Sequence, residues 1–393
     1  MAFVEPGTPA AGAAAARELF EATYDDSAGV VARAPGRVNL IGEHTDYNGG
    51  LCLPLALAHA TFAAVSPRGD EVVRVTSRQE PGVVETALDE VGPGAVPGWA
   101  AYVVGVPWAL REDGLDVPGL DVAIDSTVPI GSGLSSSAAL ECAVAVTVAA
   151  LLGVPLDDTG RRRLAAACVR AEREFAGAPT GGMDQTIALL ASPGSALLID
   201  FADDSTTPVQ LALAEAGLAL LVTDTKVSHA LVEGGYGARR ADCDAAAADL
   251  GVTTLRAAGL AAVEELPDDR LRRRARHVVS EIARVDAVVS AVQTGDWDEV
   301  GRLFLDSHVS MRDDFEISCP ELDTAVTTAV EAGALGARMT GGGFGGSSIA
   351  LVPTERVDAV ARAVDAAFVA GGYRSPAHLL AEPAGAADVV NEP

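Results

Sequence analysis

From Gly131 to Leu152 the chain passes from a glycine- and serine-rich loop directly into a stretch that is apolar on every side. The loop reads Gly131-Ser132-Gly133-Leu134-Ser135-Ser136-Ser137. A helix with no polar face has to be wrapped all round by other elements. The fold must therefore bury this helix while leaving its N-terminal loop reachable. Small residues let the backbone approach a ligand closely, and the free N–H groups of a helix start point at it. Such a loop cradles an anion without lysine. A serine-rich cap on an ordinary core helix is the alternative; the serine triplet beside the glycines favours phosphate. This loop is not a G-x-x-x-x-G-K-[ST] motif, and it lacks the third glycine of G-x-G-x-x-G.

The rest of the composition agrees with a lysine-free cradle. Lys226 is the only lysine in the chain, and the formal charge is −27. A field of that sign repels nucleic acid and anionic membrane surfaces, so neither is an expected partner. With 393 residues, 49% of them hydrophobic, there is material for two packed domains. The cysteines Cys52, Cys142, Cys168, Cys243 and Cys319 are widely spaced, with no C-x-x-C and no H-E-x-x-H nearby. Neither a disulfide framework nor a zinc cluster fits. The first residues lack a basic, apolar leader pattern, and no apolar run suits a membrane span. A cytoplasmic protein is expected, monomeric or at most weakly dimeric.

Periodicity predicts mixed elements throughout, hence an α+β protein. The opening residues to Ala15 read as a frayed arm before a short helix, Glu18 to Tyr24. Strand pieces at 31–34 and 37–41 flank a Pro35-Gly36 turn, and 72–76 alternates like an edge strand. Helices are expected at 99–110, 137–152 and 161–175. The polar stretch Ala202 to Pro208 reads as a linker between a domain over 16–202 and another over 209–393.

Three further segments carry chemistry. Arg33 to Gly50 packs Glu43, His44, Thr45, Asp46, Tyr47 and Asn48 onto a glycine-bounded turn. Alternating donors and acceptors there suit a polyhydroxylated ligand, and a solvated hairpin is the plainer alternative. Thr180-Gly181-Gly182-Met183-Asp184-Gln185 opens a helix, with Asp184 either a general base or an N-cap. Arg338-Met-Thr340, continuing through Gly341 to Ser348, holds a glycine run that could be a plain loop or could close over a ligand held by the first loop.

Together these motifs resemble the galactokinase family of the GHMP kinase superfamily. Gly36-Arg-Val-Asn-Leu-Ile-Gly-Glu-His-Thr-Asp-Tyr-Asn48 is similar to the family's sugar signature almost letter for letter. Gly131 to Ala138 is similar to its phosphate loop, and Thr340 to Gly346 to its C-terminal glycine motif. The resemblance implies a two-lobed α+β fold with mixed sheets and a site in the cleft between lobes. It implies ATP-dependent phosphorylation of the anomeric hydroxyl of α-D-galactose, the first committed step of the Leloir route. Asp184 would be the base and Arg37 its partner. Glu43, His44, Asp46, Gly181 and Tyr236 would line the sugar pocket. Gly131, Ser132, Gly133, Leu134, Ser135, Ser136 and Ser137 would wrap the phosphates of ATP. Ser137 and Glu172 would hold Mg²⁺. Trp99, Tyr102 and Trp108 are candidates for the adenine pocket. Two other readings compete: a sugar-sensing relative without useful catalysis, and a superfamily kinase for N-acetylgalactosamine, mevalonate or homoserine.

Overall fold

A computed structural model of the chain describes residues 3–80, 82–227 and 235–391. The first half runs α1 (Pro9–Tyr24), β1 (Val30–Asn39), β2 (Leu51–Cys52), β3 (Pro54–Pro67), β4 (Val72–Ser77) and β5 (Val83–Ala87). Next come α2 (Ala100–Glu112), β6 (Leu120–Ser126), α3 (Ser136–Leu151), α4 (Asp158–Arg170), α5 (Met183–Leu190), β7 (Ser195–Asp200) and β8 (Ser205–Gln210). The second half begins β9 (Leu218–Asp224), α6 (Gly235–Asp249), α7 (Leu260–Glu264), α8 (Asp269–Thr294) and α9 (Trp297–Val309). It ends α10 (Pro320–Glu331), β10 (Gly336–Thr340), β11 (Ser347–Pro353), α11 (Val357–Gly371), β12 (Ala377–Leu380) and β13 (Asp388–Val389).

A six-stranded sheet has the order β13-β1-β3-β6-β4-β5, a four-stranded one β10-β11-β9-β12, and a three-stranded one β2-β7-β8. Among the described strands only β4 and β6 pair in parallel. The all-apolar α3 lies against β1, β3 and α2, as its lack of a polar face requires. Its alanines and valines are short, so the neighbouring backbones come close. One continuous core joins Val38, Leu53 and Leu134 from the first half to Val222, Val285, Phe304 and Ile349 from the second. This shared core fixes the phosphate loop relative to the C-terminal glycine run.

Several sequence expectations need correction. The opening residues do not fray: Thr8 caps α1 through the Ala11 N–H at 3.2 Å, and Pro9 sits at the first helical position. Ala13, Ala16 and Phe20 are buried. A Cβ at Gly12 would lie 2.2 Å from the Phe62 ring, so this helix is glycine- and alanine-rich because it packs closely. Pro35-Gly36 is no turn. It is a bulge within the single strand β1, where register shifts between Pro35 and Arg37. Strand β4 is interior, flanked by β6 and β5, and β5 forms the edge. The stretch read as a linker holds most of β8, whose Ser/Thr residues pair with β7. Pro208 is tolerated because β8 is an edge strand. The helix expected over 161–175 changes at Ala171 into a π-helical turn, Ala171–Phe175.

Candidate functional site

The bulge in β1 aims Arg37 at the serine loop. The Arg37 backbone N–H donates to the Leu134 carbonyl at 3.1 Å, and a Cβ on Gly36 would meet that carbonyl at 2.8 Å. The guanidinium then reaches Asp184 with both arms: Nε donates to Oδ1 at 2.7 Å and Nη2 to Oδ2 at 2.8 Å. Its third nitrogen, Nη1, donates to the Gly133 carbonyl at 2.6 Å. A planar fork makes this two-point grip, which a lysine could not. Asp184 is not an N-cap. Helix α5 begins at Met183 and Gly182 precedes it with φ of 105°, so Asp184 is free to face the cleft.

Around this pair opens a cleft of about 480 Å³ lined by Glu43, His44 and Asp46, by Gly131, Gly133 and Ser135 to Ser137, and by Glu172. Pro179 to Gly181, Tyr236 and Gly341 to Phe344 complete its described walls. Among these lining residues Arg37 is the only cation. Anionic ligands are left to backbone dipoles. The N-terminus of the sixteen-residue α3 points into the cleft behind Ser135, whose φ of 60° and ψ of 48° are left-handed. Non-glycine residues in that region store strain and cluster at working sites. His44 and Phe344, also on the wall, share it at φ 62° and 61°. The glycine run closes on the serine loop: a Cβ at Gly341 would sit 2.9 Å from the Gly133 carbonyl, and Ser347 Oγ donates to the Ser132 carbonyl at 2.7 Å.

The polar turn after β1 splits into two roles. Glu43 is buried, with its carboxylate against Arg338 and accepting from Thr340 Oγ1 at 3.2 Å and the Gly341 N–H at 3.1 Å. Burial raises its pKa against the lowering pull of Arg338, and the charge of Glu281 adds to the rise. His44 is held neutral, pushed down to about 3 by burial and by nearby His277. Its Nε2 lies 3.1 Å from the Gly342 carbonyl, which only accepts, so that nitrogen carries the proton. Nδ1 then accepts from the Tyr47 hydroxyl at 2.8 Å. Tyr236 stacks at 5.0 Å from the His44 ring and 5.5 Å from that of Tyr47. Asp46 stays half-exposed on the wall. A Cβ at Gly181 would fall 1.7 Å from its Oδ2, so glycine there is a condition of its position. Burial, and then the nearby charge of Asp184, raise Asp46 to about 6.

Glu172 enters from the π-helical turn, a feature frequent at functional sites. It borders the same cleft as Ser137, whose hydroxyl pulls its pKa down, but burial followed by the Asp184 charge raises it to about 7. Among the described residues no cluster of three or more His, Cys, Asp or Glu could cage a metal. One carboxylate beside one hydroxyl, at a phosphate-sized cradle, fits a hard cation such as Mg²⁺ that keeps water and phosphate as its other ligands.

Three family descriptions match in chain order. They are the galactokinase galactose-binding signature over 18–67, the GHMP kinases N terminal domain over 101–192 and the GHMP kinases C terminal over 288–370. The chain is 48% identical over 376 residues to the galactokinase of Streptomyces coelicolor, with 94% of this chain and 96% of that one covered. It belongs to the galactokinase family. A galactokinase of Canis lupus familiaris is 43% identical, covering 86% of this chain and 88% of its own. Among solved structures, Lactococcus lactis galactokinase complexed with galactose superposes with a TM-score of 0.90 at 32% identity, covering 95% and 98% of the two chains. A mevalonate kinase at 17% identity and TM-score 0.64, covering 93% and 100%, shares the fold alone. The two-lobed α+β architecture of this galactokinase family member is thereby shown.

Most residues singled out in the sequence converge on the cleft. Ser132 and Leu134 do not line it: Ser132 Oγ donates to Pro129 at 2.7 Å, and Leu134 is buried in the core. They shape the loop from behind. Trp99, Tyr102 and Trp108 are also absent from the described wall. Trp108 packs on Phe175 at 5.4 Å with the Arg170 guanidinium over its ring. Sequence reasoning missed Pro179 and Met183 as walls and gave Ser135 no contact with Asp184, although Ser135 Oγ donates to Asp184 Oδ2. Arg338 stood at the head of the glycine segment with no role of its own; in the structure it is buried against Glu43.

Proposed function

We propose that this chain transfers the γ-phosphoryl group of ATP to the anomeric hydroxyl of α-D-galactose, giving α-D-galactose 1-phosphate and ADP. The observation carrying this reading is the two-point grip of Arg37 on Asp184, which ties the sugar signature to the serine loop in one cleft. The hydroxyl oxygen bonds to the γ-phosphorus as the bond from that phosphorus to the β–γ bridging oxygen breaks. Asp184 takes the hydroxyl proton. Oδ2 already accepts from Arg37 and Ser135, whereas Oδ1 accepts only from Arg37 Nε, so Oδ1 has the lone pair free for the sugar. Loop amides and the α3 dipole stabilise charge on the phosphates. Ser137 and Glu172 would hold Mg²⁺, which would supply positive charge beside the phosphates. His44, Asp46 and Tyr236 meet the sugar, with Glu43 bracing their loop. The five free cysteines fit a reducing, cytoplasmic setting. A coupled ADP assay over galactose, glucose, N-acetylgalactosamine, 2-deoxygalactose and talose tests the reading. ADP release dependent on galactose is expected; its absence would favour the sensor, and a preference for N-acetylgalactosamine the related kinase.

Two predictions follow from Asp46. Gly181→Ala places a methyl group on the Asp46 carboxylate, which must swing away. Losing a charged hydrogen bond to a sugar hydroxyl, about 1.5–3 kcal/mol, should raise the galactose KM by roughly 10- to 150-fold. The ATP KM should hold, because the serine loop is untouched. An unchanged galactose KM would remove Asp46 from the sugar pocket. The second concerns pH. Asp46 is ionised above about 6 and accepts two-sidedly only in that form. As pH falls through about 6, galactose affinity measured by calorimetry should weaken, and Asp46→Asn should flatten that dependence.

A further inference from the structure

We propose that Gln185 is a positioning residue for the metal site, its side-chain amide holding the Glu172 carboxylate beside Ser137. The inference rests on reading Glu172 as a metal ligand. Gln185 is fully buried in the first turn of α5, next to Asp184. Its Nε2 donates to Glu141 Oε2 at 3.0 Å and, in a shorter contact, to Glu172 Oε2. The amide presents its NH₂ to both carboxylates, and these two contacts hold its orientation. Glu141 lies four residues after Ser137 on α3, on the same helix face. One amide therefore links the helix that carries Asp184, the π-helical turn that carries Glu172, and the helix that follows the serine loop.

The arrangement is costly to keep. Gln185 Oε1 and Glu141 Oε1 are buried without a hydrogen-bond partner among the described residues. A buried carbonyl with no donor is unfavourable, and an apolar residue of this length would fill the space without that cost. A polar group held at a loss, in contact with a ligand-bearing carboxylate, is how outer-shell groups orient metal ligands. With the amide in place, the Glu172 carboxylate cannot rotate away from Ser137. Without it, Glu172 would be free to turn, and the pair would no longer be presented together.

Gln185→Met removes both N–H groups at nearly constant length. Mn²⁺ serves as the probe, with free ion read by its paramagnetic resonance signal in the presence and absence of ADP. The ADP-dependent Mn²⁺ affinity should fall by about 10- to 100-fold. Galactose affinity by calorimetry should stay at the parental value, because no sugar-facing group is touched. Glu172→Gln is measured alongside. If Glu172→Gln weakens the ADP-dependent Mn²⁺ affinity and Gln185→Met does not, the positioning role is wrong and the ligand reading stands. If Glu172→Gln leaves that affinity unchanged, the ligand reading fails and the proposal falls with it. Equal loss of galactose and Mn²⁺ binding in Gln185→Met and in a second apolar variant, Gln185→Leu, would show a general packing role and overturn the proposal.

Discussion

Asp184→Asn should lower kcat by about 10²- to 10⁴-fold, the usual worth of a positioned general base. The fold should survive. Asp184 caps nothing, and helix α5 starts behind Gly182 whatever side chain follows at 184. Asn keeps the size and one carbonyl acceptor, so part of the contact with Arg37 remains. Galactose affinity should change little, since His44, Asp46 and Tyr236 are undisturbed. Nucleotide affinity should not weaken, because a negative charge leaves the neighbourhood of the phosphates while Arg37 stays bonded to the Gly133 carbonyl. Single-turnover measurement at saturating ATP and galactose isolates the chemical step. A rate within about tenfold of the parent would mean that Asp184 only orients the sugar, which a loose transition state with little charge on the nucleophile would allow. The two roles predict different numbers because removal of the carboxylate leaves the binding contacts of the pocket largely in place.

Much of the site was legible because its chemistry is local in sequence. Serines and glycines that precede an all-apolar helix announce a cradle whatever the tertiary fold. The turn from Glu43 to Asn48 announces polar recognition by density alone. What could not be read was which member of that turn meets a ligand. Glu43 and Asp46 look alike in sequence and both border the cleft, yet the Glu43 carboxylate is buried against Arg338 while Asp46 is only half-buried. That division depends on β10, nearly three hundred residues away in the chain. Asp184 was ambiguous for the same reason: its bidentate partner sits on β1, and only contact decides between cap and base.

The misread elements share a physical cause. Small residues signal either floppiness or close packing, and Gly12 under the Phe62 ring belongs to the second case. Pro35-Gly36 carries a turn signature but serves as a bulge, because its neighbours on β3 pair on both sides of it. Helix α8 carries His277 and Glu281 on its buried face among Ala275, Val278 and Ile282. A charged residue on an apolar stripe is the one local hint that a buried ion network lies beneath the site.

That network makes the second large effect. Arg338 is fully buried, and it donates through Nη1 to the Leu40 carbonyl at 2.7 Å and through Nη2 to Glu43. Glu281 sits 3.5 Å away; burial would raise it, but Arg284 and then Arg338 outweigh burial and hold it at about 2. Among the described residues Glu43 forms an ion pair with Arg338 alone. Arg338→Met should therefore destabilise the protein by about 3–5 kcal/mol, the usual result of stranding one member of a buried pair. The urea midpoint should fall accordingly. Glu43 is the group whose charge is stranded, and its folded pKa lies above its ordinary value, so the folded form binds its proton more readily than the unfolded chain does. Stability linked to Glu43 thus rises as pH falls, and the deficit of Arg338→Met should shrink in acid. Adding Glu43→Gln to Arg338→Met should recover part of the loss at neutral pH, since the stranded charge is gone. A double variant as unstable as Arg338→Met alone, with a deficit that ignores pH, would mean that the lost hydrogen bonds to β1 and its following turn, rather than the charge, set the cost.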